Sequence, residues 1–177
     1  MTIYVCPLSR LPEMLHRYDP ARVVSLLDPG SDFPKLGPVY VGRHLRLEFH
    51  DIHSYVEHLV APSASHIELL FRFFKRWDPR DVMLIHCHAG LGRSTAAAFI
   101  AACYHNPDAD EHAIAAQLRQ ASPHSRPNAT LVRIADNALG RHGRMSAAIA
   151  DTGRDLPWPN VSEGTPFEIP SKYPKSR

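Results

Sequence analysis

The sequence predicts a three-layer α/β domain, a short and mostly parallel β-sheet with helices on its faces. Three observations carry that expectation. Short apolar runs alternate with stretches of helical periodicity. One of those runs, Val82-Met83-Leu84-Ile85, is apolar at every position, the pattern of a strand covered on both sides. After a glycine-containing turn, residues 95–104 are apolar on nearly every face and therefore belong to an enclosed helix.

In chain order, residues 3–5 and 23–27 read as strands joined by a helix over 11–17, a unit suited to parallel pairing. Turn residues from Pro29-Gly30 to Gly37-Pro38 precede an alternating run at 44–49, which reads as another strand. Ile67, Leu70, Phe71 and Phe74 recur at helical spacing with Arg72, Lys75 and Arg76 opposite, and Ser65 with Glu68 offers a capping box. Asp110 opens a helix with Ile114 and Leu118 inward. Pro127-Asn128 opens another, with Leu131, Ile134, Ala135 and Ala138 inward. These elements place one domain at residues 1–154. From Asp155 on, Pro157, Pro159, Pro166, Pro170 and Pro174 are interleaved with Trp158, Phe167 and Tyr173, so 155–177 is expected to be a Pro-rich tail, either disordered or, as the favoured reading, an extended strap partly docked on the domain by its aromatic side chains.

Composition narrows the classes. With 177 residues, 44% hydrophobic and 21% charged, the chain can bury a core as one soluble unit. A net charge of +2 with scattered basic residues does not favour nucleic acid as a partner. The first residues carry neither a basic leader nor a long apolar stretch, and the last three, Lys175-Ser176-Arg177, carry no prenylation box, so a cytoplasmic location without a membrane anchor is expected. Three cysteines, Cys6, Cys87 and Cys103, without paired spacing argue against a disulfide framework. The pairs His50 with His53 and His86 with His88 lack a third ligand, so no metal or other cofactor is expected.

The chemistry is concentrated in residues 86–94, His86-Cys87-His88-Ala89-Gly90-Leu91-Gly92-Arg93-Ser94. They lie where a strand ends and a helix begins, so backbone N–H groups of His88, Ala89, Gly90, Leu91, Gly92 and Arg93 can converge on an anion that also feels the positive end of the helix dipole. Gly90 and Gly92 permit the close approach that such a nest requires. Arg93 offers a planar fork for two phosphate oxygens. Cys87, at a helix N-terminus beside Arg93, is placed as a thiolate nucleophile. Ser94 can hydrogen-bond the sulfur when it leaves, and His86 is placed to orient the loop.

This run resembles the signature loop of the protein tyrosine phosphatase superfamily, and the short chain is most similar to its small dual-specificity branch. The resemblance implies a phosphatase-like domain and a cysteine-dependent hydrolase without cofactor. Cys87 would attack phosphorus, Arg93 and the loop amides would hold the phosphoryl oxygens, and water would hydrolyse the cysteinyl-phosphate. Substrates would be phosphorylated proteins or small phosphomonoesters; nothing in the sequence sets the oligomeric state. An inositol-phosphate phosphatase is an alternative, but His88 and Leu91 stand where related lipid phosphatases tend to place lysines. A rhodanese-like sulfurtransferase usually has a loop one residue shorter. A non-catalytic phosphate-binding module typically lacks one of the three candidate groups found here.

A general acid must protonate the leaving oxygen. Asp78 and Asp81 precede the strand that ends at Cys87 and stand at its wrong end. Asp51 follows the strand at 44–49, and carboxyl ends of strands line one crevice in open α/β sheets. Its place some tens of residues before the cysteine also resembles the acid-loop aspartate of small dual-specificity phosphatases; His50 is the runner-up. An ionised cysteine beside a protonated acid implies a bell-shaped pH profile. Arg126-Pro127-Asn128 loosely resembles a segment that abuts the signature loop in these phosphatases, and a helix N-cap accounts for Asn128 equally well. Cys6 and Cys103 are candidate resolving thiols should Cys87 oxidise.

Overall fold

The computed structural model describes residues 2–153 and 160–176. Expectations that rest on Asp155, Pro157, Trp158 and Pro159 lie outside the described residues.

Five strands form one sheet: β1 (Thr2–Pro7), β2 (Arg22–Leu27), β3 (His44–Glu48), β4 (Val82–Cys87) and β5 (Phe167–Pro170), in the order β3-β2-β4-β1-β5. All pairings are parallel except β1 with β5. The strands expected at 3–5 and 23–27 are parallel but not neighbours. The most apolar strand, β4, lies between them, where both of its faces are covered.

One helix, α1 (Leu11–Tyr18), packs on one face through Leu11 and Met14 with Cys6, Val23 and Leu84. The other face carries α2 (Ala64–Lys75), α3 (Arg93–His105), α4 (Glu111–Ala121), α5 (Ala129–Ala138) and α6 (Arg144–Gly153). Ile67, Phe99, Ile114, Leu131 and Met145 from these helices meet Ile3, Val24 and Ile85 in the larger core. Every residue of α3 from Arg93 to Cys103 is buried, as its all-round apolar sequence requires.

Several boundaries differ from the sequence expectation. Helix α2 is capped by Ser63, not Ser65, and the box closes through His66, whose Nδ1 accepts from the Ser63 N–H at 3.1 Å, not through Glu68. Helix α6 has no N-cap signal in its own sequence. Its first turn is held from α5 by buried Asp136, which accepts from Gly143 N at 2.7 Å and Ser146 N at 2.8 Å. The Pro-rich C-terminal stretch supplies a sheet strand over its described residues. Ile169 is buried opposite Ile3, and β5 covers what would otherwise be an open β1 edge. Beyond it, Ser171 O and Tyr173 N bond the Asn106 side chain at 3.0 and 2.9 Å.

Candidate active site

Parallel strands bring their carboxyl ends to one side, and the register sets Cys87 beside Leu26 of β2 and Pro7 of β1. The loop from Cys87 to Arg93 therefore emerges at the centre of the sheet, with Asp28, Phe49 and Asp51 arriving from the ends of β2 and β3.

The loop's carbonyls are engaged by the surrounding protein. Leu8 N donates to His88 O at 3.0 Å, Gly164 N to Ala89 O at 2.8 Å, Arg126 N to Leu91 O at 2.7 Å, and Asn128 N to Gly92 O at 3.2 Å. The Thr95 hydroxyl reaches the Leu91 and Gly92 carbonyls at 2.6 and 2.8 Å. A peptide whose oxygen is held on the outside presents its N–H on the inside, which is the arrangement of an anion nest. One of those amides, Gly90 N, lies 3.2 Å from Cys87 Sγ, and Ser94 Oγ lies 3.1 Å from the same sulfur. Gly90 has φ +70°, and a Cβ there would meet Pro7 N at 2.7 Å, so both backbone angle and space restrict this position to glycine.

Arg93 is buried. Its Nη1 donates to Asp28 Oδ1 at 2.7 Å and to Phe49 O at 2.6 Å, while its buried Nε has no partner among the described residues. The guanidinium is thus fixed through one nitrogen, leaving the Nε–Nη2 edge for a ligand. Asp28 was not singled out in the sequence. The available signal was an acid directly after the strand at 23–27, at the carboxyl end of the sheet.

Asp51 is brought to the same place. Asn128 Nδ2 donates to Asp51 Oδ1 at 2.7 Å, and the other oxygen overlies Gly92 so closely that a Cβ there would lie 2.0 Å from it. The Asn128 carbonyl oxygen simultaneously accepts from Leu131 N at 2.9 Å, so one amide both caps α5 and holds the aspartate. His50 closes the base of the Asp51 loop: its N–H donates to Val60 O at 2.8 Å and its Nδ1 accepts from Val60 N at 2.9 Å. Beyond that closure, Tyr55, Val56 and Leu59 are exposed. His88 stands at the rim, with Nε2 3.7 Å from Asp28 Oδ2.

His86 is fully buried behind the nucleophile. Its Nε2 lies 2.5 Å from Ser25 Oγ, which in turn lies 2.7 Å from His44 Nε2. Burial lowers both histidines to about 4; the His44–His86 proximity and Arg46 add to this, and the Cys87 backbone opposes it at His86. The fold therefore favours the neutral rings, whereas unfolded histidine titrates near 6.5. Stability from these groups is complete above pH ~6.5 and is lost as pH falls from there toward 4. A melting-temperature series should show that fall, and His44→Gln should flatten part of it; an unchanged profile in the variant would assign the loss elsewhere.

Cys6 neighbours His86 in register and packs on the α1 face, whereas Cys87 joins the opposite core; burial raises the Cys6 thiol to about 12. Buried Cys103 lies in α3, its thiol also raised by burial. All three cysteines are free. Among the described residues no group of three or more His, Cys, Asp and Glu side chains could hold a metal, and no helix is long and apolar enough to cross a membrane.

A mostly parallel sheet with a cysteine–arginine loop between its central strand and an enclosed helix is the fold of the protein tyrosine and dual-specificity phosphatases. No protein-family model matches the sequence, and no curated protein matches it. Among solved structures, the chain is similar to the PTP-2 phosphatase of Cydia pomonella, with TM-score 0.56 and 22% identity over 76% of this chain and 84% of that one. It is also similar to the Yvh1 phosphatase domain from Chaetomium thermophilum, with TM-score 0.58 and 16% identity over 81% and 93% of the two chains. The values for DUSP15 are 0.57 and 14% over 88% and 92%. At these identities the likeness is one of fold, and activity has to be argued from the site.

Proposed function

We propose that the protein is a phosphomonoester hydrolase that works through a cysteinyl-phosphate. The observation that carries this reading is the set of outward-held loop carbonyls around Cys87, with the free edge of Arg93 beside them. In the first step Cys87 Sγ bonds to phosphorus as the bond to the leaving oxygen breaks, and Asp51 gives that oxygen its proton. In the second, water bonds to phosphorus while Asp51 takes the water's proton. The S–P bond then breaks, and the departing sulfur is met by Ser94 Oγ and Gly90 N. The inward amides and Arg93 hold charge that grows on the equatorial oxygens.

Substrates with one phosphate suit the cup best. Arg93 is paired with Asp28 at 2.7 Å, so a second phosphate at that rim would meet an acidic side chain. The exposed Tyr55 and Val56 on the Asp51 loop suit an aryl or peptidyl leaving group. Phosphorylated protein or a small aryl phosphate is therefore the substrate class we assign, with a cytoplasmic setting.

The test compares phosphate release from a phosphotyrosyl peptide, a phosphoseryl peptide and a soluble inositol polyphosphate, with thiosulfate-to-cyanide transfer as a fourth arm. Acid-quenched enzyme should carry phosphate on Cys87 by mass spectrometry. Release without a phosphorylated Cys87, or sulfur transfer alone, would overturn the proposal.

A further inference from the structure

The segment that carries Asp51 leaves the sheet after β3 and returns at Val60, where His50 closes it. Every residue from His53 to Val60 is exposed, and none lies in a helix or strand. The backbone bonds within the segment, Ile52 N to His50 O at 2.9 Å and Leu59 N to Val56 O at 3.1 Å, are local. Fixing such a stretch costs conformational entropy at each residue, so the place of Asp51 depends on what grips the segment from outside. That grip comes from the first turn of α5. Asn128 Nδ2 donates to Asp51 Oδ1 at 2.7 Å and to Ile52 O at 3.2 Å, and Thr130 Oγ1 donates to His53 O at 2.7 Å. Three consecutive residues, 51 to 53, are thus tied to one turn of helix, and the same turn holds the cysteine loop through Asn128 N and Gly92 O at 3.2 Å. A threonine within a helix often gives its hydroxyl to a carbonyl three or four residues back. Thr130 is the second residue of α5, so those positions, Pro127 and Arg126, precede the helix, and the hydroxyl crosses to His53 instead.

We propose, resting on the hydrolase reading above, that Thr130 is a positioning residue whose hydroxyl clamps the His53 carbonyl and so keeps the Asp51 carboxyl group over the cysteine loop, where it protonates the leaving oxygen. One held carbonyl would let the segment pivot about it; two successive ones, gripped by two side chains of a packed helix, do not. Packing gives the segment little help at this point. Behind His53 lies a cavity of about 330 Å³, lined also by Thr130, Val132, Ile149 and Ala150, so the hydrogen bond rather than close contact sets where His53 rests. A catalytic acid displaced by even a small distance loses most of its effect, which makes a bond two residues away from Asp51 a lever on the chemistry.

Thr130→Val keeps the shape of the side chain and removes the hydroxyl, whereas Thr130→Ser keeps the hydroxyl. Nitrogen-15 relaxation of the backbone reads the clamp without any assay of activity. In the parent protein the Ile52 and His53 amides should relax as Val132 of α5 does. In Thr130→Val both should become mobile, through lower order parameters or exchange broadening, while Val132, whose N–H bonds Asn128 O at 3.1 Å, stays unchanged. The kinetic reading is kcat/KM for a series of aryl phosphates. Thr130→Val should lower it about fivefold for the least acidic phenols, the scale of one lost hydrogen bond, and hardly at all for the most acidic, which leave without a proton. Thr130→Ser should restore both readings, and Thr130→Val added to Asp51→Asn should cost little more than Asp51→Asn alone. Thr130→Ala gives the same readings if the valine variant does not fold, since alanine suits a helix better. Amides at 52 and 53 that relax alike in the parent and the variant overturn the clamp. A loss that is equal for all phenols, or additive with Asp51→Asn, overturns its action through the acid. Should the amides loosen as stated in a protein that releases no phosphate, the hydrolase reading fails while the grip of Thr130 on the segment stands.

Discussion

Replacing Cys87 by serine is expected to reduce aryl phosphate turnover to background, a loss on the order of 10⁴-fold or more for a removed nucleophile. Affinity for inorganic phosphate should stay within a few-fold of the parent value. The separation arises because the cup does not depend on the sulfur. Its carbonyls are held by Leu8, Gly164, Arg126 and Asn128 from three different parts of the chain, and Arg93 is held by Asp28 and Phe49. Binding measured by calorimetry or phosphorus NMR, beside stopped assays of turnover, reads both quantities. Retained turnover would remove Cys87 from the reaction, and lost binding would mean that the sulfur shapes the anion site itself.

Asp51→Asn is expected to slow turnover about 10²- to 10⁴-fold, the range for loss of a general acid, and to remove the alkaline limb of the pH profile. Leaving groups that need no proton should suffer least, so a series of aryl phosphates should show steeper dependence on phenol acidity in the variant. Gly92→Ala offers an independent route to the same signature. Gly92 has φ −106°, which alanine adopts without strain, but the new Cβ would lie 2.0 Å from Asp51 Oδ2, so the carboxyl group must move. Its loss should be smaller than that of Asp51→Asn and should nearly vanish when added to Asp51→Asn. Additive losses in the double variant would show that alanine harms the loop rather than the acid, and equal dependence on phenol acidity in all variants would exclude Asp51 as proton donor.

Much of this architecture was legible because its signals are local. The apolar run of β4, the enclosed α3 and the glycine–arginine turn between them can each be read within a dozen residues. Asp51 was legible because an alternating strand led into it and the carboxyl ends of such strands converge. What could not be read depended on partners distant in the chain. Helix α6 is capped from α5 by Asp136, and β5 is a strand because Ile3 waits opposite Ile169. Asp28 and Ser25 look ordinary in sequence, and they gain roles only when the register sets them beside Arg93 and His86. Asn128 carried two competing expectations: its side-chain oxygen accepts from Leu131 N as an N-cap, while its Nδ2 donates to Asp51 and its backbone N–H to the Gly92 carbonyl of the loop.

The contact between Gly164 and the Ala89 carbonyl also has a consequence for biosynthesis. A ribosome would translate the nucleophile and its arginine long before residue 164, and β5 lies later still. Catalytic competence should therefore arrive late: stalled nascent chains that expose only residues 1–153 would hold an incomplete cup, and the proposed activity would appear only once Gly164 and β5 have left the exit tunnel.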